Sequence, residues 1–539
     1  MIIGGGPVGL ATSALLSRFG VGSCLVERHA QTTYHPKARN LNVRSSEIVR
    51  PWGIDARLRD GGLPPHWGRQ FVYTRTLSSA ELGRMRTGSF APVEEPVSPT
   101  SGLLSSQDRI EPVLREYAES FGCADVRFGC ELADFEIGDH GVTATLAGEN
   151  APRARVHARY LVGADGASSL VRERLGIALE GPQGIGSFIN VYFRADLARW
   201  TDERPAVLYW ISEPGNTGVL QPLDGKARWL CQIAYDRNSE SVDDYSRERC
   251  TRWIRRAVGS EEFELEILSI GSWTMNAAVA TSLRVGPVFL VGDAAHQLPP
   301  TGGFGMNTGL QDAHNLAWKL AGVLDGWATD RLLDTYETER RPVARYNTQR
   351  SLENAGMVGR VNASVLRGTD AGAEVSRSRR YGNFLGMDLG FAYEAGAVVP
   401  DGTAAPEVED EVVDYVPTAR PGHRAPHTPL GRDGEEISTL DLFDRHFVLL
   451  AGPEGEAWCK AAAAIRGRVP LESYRVARDG DLSDPGGRWL GVFGIERGGA
   501  VLVRPDGHVA WRAPRGTENV EHVLSSVLSR LALVPGQPG

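Results

Sequence analysis

The chain has 539 residues and a net charge of −9, with 58 Lys and Arg against 67 Asp and Glu. Its 42% apolar and 8% aromatic content excludes a disordered or fibrous chain, and at about 100–200 residues per domain the length suffices for two or three cores. No Lys/Arg block interrupts the acidity, so neither nucleic acid nor an anionic membrane is expected as a partner. The longest apolar runs, such as Phe447–Ala451, fall far short of the roughly 20 residues that span a bilayer. Nothing ahead of Gly4 resembles a secretion signal, and the six cysteines include no CxxC, so a cytoplasmic location is expected.

Met1-Ile2-Ile3 predicts the end of a short buried strand, followed at once by Gly4-Gly5-Gly6-Pro7-Val8-Gly9. Leu10, Leu15, Leu16 and Phe19 then recur at helical spacing until Gly20 and Gly22 stop the helix. A second strand, Cys24-Leu25-Val26, ends at Glu27, 18 residues after Gly9. This is GxGxxG between strand and helix, with a terminal acid in register. Gly4 permits the tight turn, Gly6 lets a pyrophosphate approach the backbone, Gly9 lets the helix pack close, and the helix N-terminus faces the phosphates. Glu27 is expected to accept from an adenosine ribose 2′-OH. Pro7, Val8 and the adjacent Arg28 complete the candidate nucleotide site. The motif alone does not choose between FAD and NAD.

Tyr160-Leu161-Val162-Gly163 predicts another short strand, ending in Ala164-Asp165-Gly166 and running on to Arg172. From about 185 to 280 the pattern changes. Phe188–Phe193, Ala206–Ile211 and Arg228–Cys231 alternate or run apolar over strand lengths, and Asp224-Gly225 reads as a turn between two of them. Tyr209, Trp210, Trp229 and Trp273 are candidate flat surfaces for an aromatic ligand, with packing into the sheet as the competing reading for each.

Val288–Val291 predicts a buried strand that leads into Gly292-Asp293-Ala294-Ala295-His296 and then Pro299-Pro300-Thr301-Gly302-Gly303-Phe304-Gly305-Met306-Asn307. A helix follows, marked by Leu310, Ala313, Leu316, Ala317, Leu320 and Leu324 and stopped by Gly326. Gly302, Gly303 and Gly305 would leave room for a flat ring against the backbone, with Pro300 beside it. The amides of Met306 and Asn307 would stabilise negative charge of the kind a reduced flavin carries at N1–C2=O, and Asp293 would take ribityl hydroxyls. His296 is expected to order this loop. His423 and His427 have HxxxH spacing, but Pro426 lies between them and no acid is adjacent, so no metal site is expected. Beyond a helical stretch ending near Arg350 the chain turns Gly- and Pro-rich. A small α/β unit closes it: a strand at Phe447–Leu450, a helix at Glu456–Ile465, strands at Ala500–Val503 and Val509–Trp511, and a last helix at His522–Leu533.

Three fingerprints on one chain (Gly4 to Gly9, Asp165-Gly166 through Arg172, and Gly292-Asp293 through Asn307) resemble those of the class A, single-component flavoprotein aromatic hydroxylases. Aromatic polyketide hydroxylases are the nearest subgroup and phenol hydroxylases the next. The resemblance implies an α/β fold. A Rossmann-like, dinucleotide-binding FAD domain would cover 1–184 and 281–390, and an inserted β-sheet substrate domain 185–280, with about 70–100 contributing. A thioredoxin-like C-terminal domain would cover 391–539. It also implies that Arg39, in His35-Pro36-Lys37-Ala38-Arg39, and Gln107, in Ser106-Gln107-Asp108-Arg109, contact FAD, and that the Asp165 segment serves both FAD and NAD(P)H.

The implied reaction consumes NADPH or NADH and O2: FAD is reduced, O2 adds at flavin C4a, and the distal oxygen of the hydroperoxide passes to a phenolic or polycyclic, polyketide-type ring. A homodimer is compatible with this reading. Where phenol hydroxylases place an acid this chain has Arg39, so no general base carries over, and the catalytic candidates reduce to the flavin-facing Pro300, Gly302 and Gly303. A simple phenol hydroxylase remains an alternative, as does an FAD-binding protein that shelters an aromatic intermediate without hydroxylating it. A plain NAD dehydrogenase is disfavoured by the Gly292–Asn307 segment, and a flavin halogenase by the lack of a WxWxIP stretch.

Overall fold

Ile2–Ile3, only two residues long, lies inside a six-stranded sheet in the computed structural model, which describes residues 1–88, 96–148, 151–377 and 380–533. It pairs in parallel with Ser23–Glu27 through Ile2↔Leu25 and Ile3↔Val26, and with Leu161–Gly163 on its other side. Val288–Leu290 and Ala124–Phe128 extend the sheet in parallel, and Arg284–Val285 closes one edge antiparallel. Ile2, Leu25, Leu161, Val288 and Leu290 are fully buried, as a parallel sheet covered on both faces requires. Helix Pro7–Arg18 begins on its N1 proline and crosses helix Phe304–Leu324 closely, because Val8 seats against Gly292 and Gly309, where a Cβ would collide with it.

The middle of the chain builds a seven-stranded sheet in the order Glu266–Met275, Gly186–Arg194, Arg228–Tyr235, Asn216–Pro222, Leu208–Glu213, Gln70–Thr74, Glu81–Arg86. Every pairing is antiparallel except Leu208–Glu213 with Gln70–Thr74. The 70–100 segment therefore joins this sheet through its two strands, while 89–95 lie outside the described residues. The Asp224-Gly225 turn forms as expected: Gly225 adopts φ +66°, and Asp224 Oδ1 accepts from the amides of Lys226, Ala227 and Arg228. Helix Arg247–Val258 covers one face of the sheet with Cys250, Ile254, Ala257 and Val258.

Two elements depart from the sequence expectation. The helix expected to end near Arg350 runs from Arg331 to Arg367, because no residue before Gly368 (φ +69°) breaks it. An antiparallel meander, Cys130–Gly138, Gly141–Gly148 and Ala151–Ala158, stands before Leu161–Gly163. Only one of its faces is apolar, with Leu132, Val142, Ala144 and Leu146 buried.

The C-terminal unit pairs Phe447–Ala451 in parallel with Leu471–Arg475 across helix Glu456–Ile465. Ala500–Val503 and Val509–Ala513 then add antiparallel, giving the order 471–475, 447–451, 500–503, 509–513. Helix Val520–Arg530 closes this thioredoxin-like arrangement, two residues earlier at its start than the periodicity suggests.

Candidate active site

The glycines of the first loop differ in why they are glycines. A Cβ on Gly4, which holds φ +108°, would strike the Ala164 carbonyl, and one on Gly9 would strike the carbonyl of Gly4. A Cβ on Gly6 would meet nothing within 4 Å. Gly6 therefore opens onto a groove at the N-terminus of helix Pro7–Arg18, where the first-turn N–H groups lack intrahelical acceptors. That open seat is the shape a phosphate needs. Glu27 borders it, but its carboxylate is already engaged: Oε2 accepts from the Gly5 amide at 2.7 Å and Oε1 from the His29 amide at 2.9 Å. Burial alone would raise its pKa, and these N–H bonds outweigh burial and hold it low. Arg28 is exposed beside it, and Val8 is a packing residue at the helix crossing.

The segment following Thr32 forms the next wall. Gln107 does not reach out with its amide: Oε1 accepts from the Ala38 amide at 3.1 Å, and Nε2 donates to Glu111 Oε1 at 2.6 Å. Glu111 in turn accepts from the Thr33 amide at 2.7 Å. Gln107 thus fixes the loop that presents Lys37, Arg39 and Asn40. Asp165 is likewise spent internally, with one oxygen on the Ser169 hydroxyl at 2.6 Å and the other on the Val171 amide at 3.1 Å, so it holds the turn after Leu161–Gly163.

Gly302 and Gly303 are not open faces, contrary to expectation. Both have positive φ, +118° and +70°, and a Cβ on them would run into the Phe304 ring and the Asn40 side chain respectively. Only Gly305 faces free space, its nearest neighbour being Asp293 Oδ1 at 4.0 Å. Asn307 also differs from expectation. It is the fourth helical residue, so its N–H points back at the Gly303 carbonyl. Its side chain is buried and holds the loop: Nδ2 donates to Gly303 O at 2.7 Å and to Asn40 O at 3.3 Å, while Oδ1 accepts from the Asn42 amide at 2.9 Å. The free amides at this helix start belong to Phe304, Gly305 and Met306. Pro300 is exposed at the rim.

Asp293 sits exposed on the turn Gly292–Ala294 at the edge of the cleft, facing Gly305, and its carboxylate has no hydrogen-bond partner among the described residues. His296 is in the core, bonded through Nε2 to Asp312 at 2.6 Å, and Asp312 also accepts from Arg340 at 2.7 Å. No cluster of metal-ligating side chains occurs among the described residues.

Register divides the four candidate aromatics between the two faces of the large sheet. Tyr209 and Trp229 lie on the face under helix Arg247–Val258. Both are buried and satisfied, the Tyr209 hydroxyl on Arg204 O at 2.9 Å and Trp229 Nε1 on Ala195 O at 3.2 Å. They are core residues, so the expectation that they meet a ligand is corrected. Trp210 and Trp273 lie on the opposite face, the one that meets His35 through Ser269 at 2.7 Å. Trp273 stacks on Phe188 and donates to Asn190 Oδ1 at 2.8 Å, on the edge strand four strands away from Trp210. At about 4.8 Å per strand that is roughly 19 Å, too far for both to flank one ring system.

Beside Trp210 the same face of the sheet carries further aromatic residues. Tyr73 pairs with Trp210 across the parallel strands, their rings 6.3 Å apart, and both Tyr73 Oη and Trp210 Nε1 are buried without a partner. A chain of ring contacts, Phe71 to Tyr381 at 4.9 Å, Tyr381 to Phe384 at 6.4 Å and Phe384 to Phe304 at 4.7 Å, links this face to the Gly302–Asn307 loop. Arg39 reaches the same region. Nη1 donates only to carbonyls, Val207 O at 2.9 Å and Pro222 O at 3.4 Å, and enclosure without a carboxylate lowers its pKa to about 10. It stays charged at neutral pH. Tyr73 was findable as the aromatic in Phe71-Val72-Tyr73, but nothing local shows that Gln70–Thr74 joins a sheet 130 residues away.

Comparison with known proteins gives this cleft its context. Residues 1–351 match the FAD binding domain family, and residues 418–532 match the C-terminal family of aromatic-ring hydroxylases. A putative polyketide hydroxylase of Streptomyces halstedii is 40% identical, with 98% of this chain and 97% of the relative covered. The tetracenomycin A2 monooxygenase-dioxygenase of Streptomyces glaucescens is 39% identical over 100% of this chain and 98% of its own. The crystal structure of the flavin-dependent monooxygenase PieE in complex with FAD and substrate superposes with a TM-score of 0.91 at 35% identity, covering 98% of both chains. A glycine seat open at Gly6, an unpaired Asp293 and free helix-start amides all suit a bound flavin nucleotide. The chain belongs to the FAD-binding aromatic-ring hydroxylases, and it is an FAD-dependent aromatic monooxygenase.

Proposed function

We propose that the protein uses NADPH or NADH and O2 to hydroxylate a phenolic, polycyclic aromatic of the polyketide type. The substrate would lie between the Gly302–Asn307 loop and the sheet face of Phe71, Tyr73 and Trp210. Bound FAD supplies hydride acceptance and oxygen activation. Gly6 and the start of helix Pro7–Arg18 would seat its pyrophosphate, Asp293 its ribityl hydroxyls, and the amides of Phe304 to Met306 the charge that develops on the reduced ring.

The observation that carries the substrate class is a wall of donors without a base. Tyr73 Oη and Trp210 Nε1 are buried and unpartnered, and Arg39 is a cation with only carbonyls for company. A ring oxygen bound among donors and a guanidinium is favoured as phenolate, so the site activates the ring by lowering the substrate's pKa rather than by removing its proton with a carboxylate. The rings of Phe71, Tyr381, Phe384 and Phe304 exclude water from the reacting carbon. The likeness to a putative polyketide hydroxylase of Streptomyces halstedii supports the same class.

The test is aerobic incubation of FAD-loaded protein with NADPH or NADH and a panel of phenolic polycycles. The expected result is substrate-stimulated nicotinamide oxidation and a product heavier by one oxygen atom. Bound FAD with no mass gain on any phenolic would contradict the proposal.

A further inference from the structure

Against the Gly302–Asn307 loop, a small void of about 10 Å³ is lined by Asn42, Asn307, Gln311, Asn347 and Asp388 among others. That is room for one water, and the lining offers the two to four polar partners a buried water needs. Asp388, on the short helix Leu385–Leu389, is almost fully buried and has a single hydrogen-bond donor among the described residues, Asn42 Nδ2 at 2.6 Å on Oδ1. Asn42 is the N-cap of helix Val43–Val49, accepting from Ser45 N at 2.9 Å, and its own amide donates to Asn307 Oδ1 at 2.9 Å. Asn307 then holds Gly303 O at 2.7 Å. An unbroken path runs from a buried carboxyl to the loop.

We propose that Asp388 is a positioning residue for the flavin loop: its carboxyl, one enclosed water, Asn42 and Asn307 form a relay that sets the charge behind Gly303–Met306. The inference rests on the reading that this loop receives FAD. Burial raises the Asp388 pKa to about 7, with the Asn42 bond opposing and Glu47 adding to the rise. The titratable groups on the elements packed around it are otherwise committed or neutral: burial, with Arg44 adding, lowers the His314 pKa to about 3, so that imidazole is uncharged across the window. Glu47 is paired with Arg44 and Arg424, and Arg340 with Asp312. Glu411 and Asp414, on the segment over Gly386, are exposed, Glu411 on Arg350 and Asp414 on the Asp410 amide. The facing side chains of Thr308, Gln311 and Asn347 are neutral. Asp388 is therefore the group at this void whose charge changes near neutrality. When it ionises, a negative charge stands behind a helix start that would hold an anionic cofactor, and hold on that cofactor weakens.

The test compares wild type with Asp388→Asn by titrating apoprotein with FAD from pH 6 to 8.5. The wild-type affinity is expected to fall by about tenfold as pH rises through 7, the size of a one-unit coupling, and the Asn variant to lack that fall. The folded-state pKa is raised above the unfolded value, so stability of the wild-type apoprotein is also expected to drop from about pH 4 to about pH 7 relative to the variant. If the variant does not fold, an infrared titration of wild type serves instead: one buried carboxylic acid ionising near pH 7, displaced upward by FAD, is expected. Identical pH profiles in the two proteins, or no carboxyl titrating in that window, overturns the assignment to Asp388. A wild type that takes up no FAD at any pH overturns the underlying reading of the loop.

Discussion

The cleft and the seam under the C-terminal unit treat their charges in opposite ways. In the seam every charge is matched. Arg504 Nη1 and Nη2 each reach Glu339 at 2.9 Å, and Arg504 also pairs with Asp506. Lys319 donates to Glu339 at 2.8 Å, and Arg424 and Arg44 share Glu47. These side chains are almost fully buried and bridge residues before 340 to residues after 420. In the cleft, among the described residues, Asp293 has no hydrogen-bond partner and Arg39 has only carbonyls. A satisfied buried network fixes two parts of a chain in one arrangement. A charge left unmatched at a groove is stabilised when a ligand supplies the partner.

Five substitutions test that contrast, in falling order of effect. Glu339→Ala would strand Lys319 in the interior and leave Arg504 with Asp506 alone, and it is expected to cost about 3–5 kcal/mol in urea unfolding. Burial alone would raise the Glu339 pKa, but Arg504 and Lys319 outweigh it and bring it to about 2. Its contribution is thus present above the unfolded pKa of about 4.3 and lost as pH falls toward 2, so the wild type should lose stability in that acid window and the Ala variant less so. Gly303→Val forces a β-branched residue into φ +70° and against Asn40, at about 1–3 kcal/mol. We expect a folded protein with reduced FAD content and peroxide release in place of product; wild-type flavin content and coupling would count against the loop's assignment.

Glu27→Ala removes the acceptor of the Gly5 N–H as well as any ribose contact, so a loss of about 1–3 kcal/mol in FAD binding is expected by titration of the apoprotein. The smallest effects come from a pair on the two faces of the large sheet. Tyr209→Phe gives up the bond to Arg204 O and should lower stability by about 1 kcal/mol without changing KM for the aromatic substrate. Trp210→Phe should do the reverse, raising KM with stability almost unchanged.

Much of the nucleotide half is legible in the sequence because its signals are local. The run Gly4 to Gly9, the strand ending at Glu27 and the helix after Gly303 each lie within a few residues of the feature they specify. The C-terminal strands Phe447–Ala451 and Ala500–Val503 are legible for another reason: they are buried on both faces and read as continuous apolar runs. Leu471–Arg475 is not, since Leu-Glu-Ser-Tyr-Arg buries only its first residue.

Within the site, the residue types were readable and their roles were not. Gln107, Asp165 and Asn307 are where the motifs put them, yet each spends its side chain on neighbouring backbone or side chains, a fact of three-dimensional packing. The two faces of the large sheet illustrate the limit most clearly. Tyr209 and Trp210 are adjacent in sequence, and only the pairing of Leu208–Glu213 with Gln70–Thr74 and Asn216–Pro222 decides which of them looks into the cleft. The seam was unreadable for the same reason: nothing near Arg504 in the chain announces Glu339.

Arg39→Met tests the central claim most directly, because it removes an unmatched, half-buried charge while preserving length and apolar volume. Equilibrium unfolding of the apoprotein and FAD titration are read on the same samples. If the cleft holds charge in reserve for its ligand, the variant apoprotein will be as stable as wild type or more so, while its FAD affinity or its coupling of nicotinamide oxidation to product falls at least about tenfold. A variant that unfolds earlier while binding FAD and forming product like wild type would show that Arg39 serves the fold, and would contradict the account.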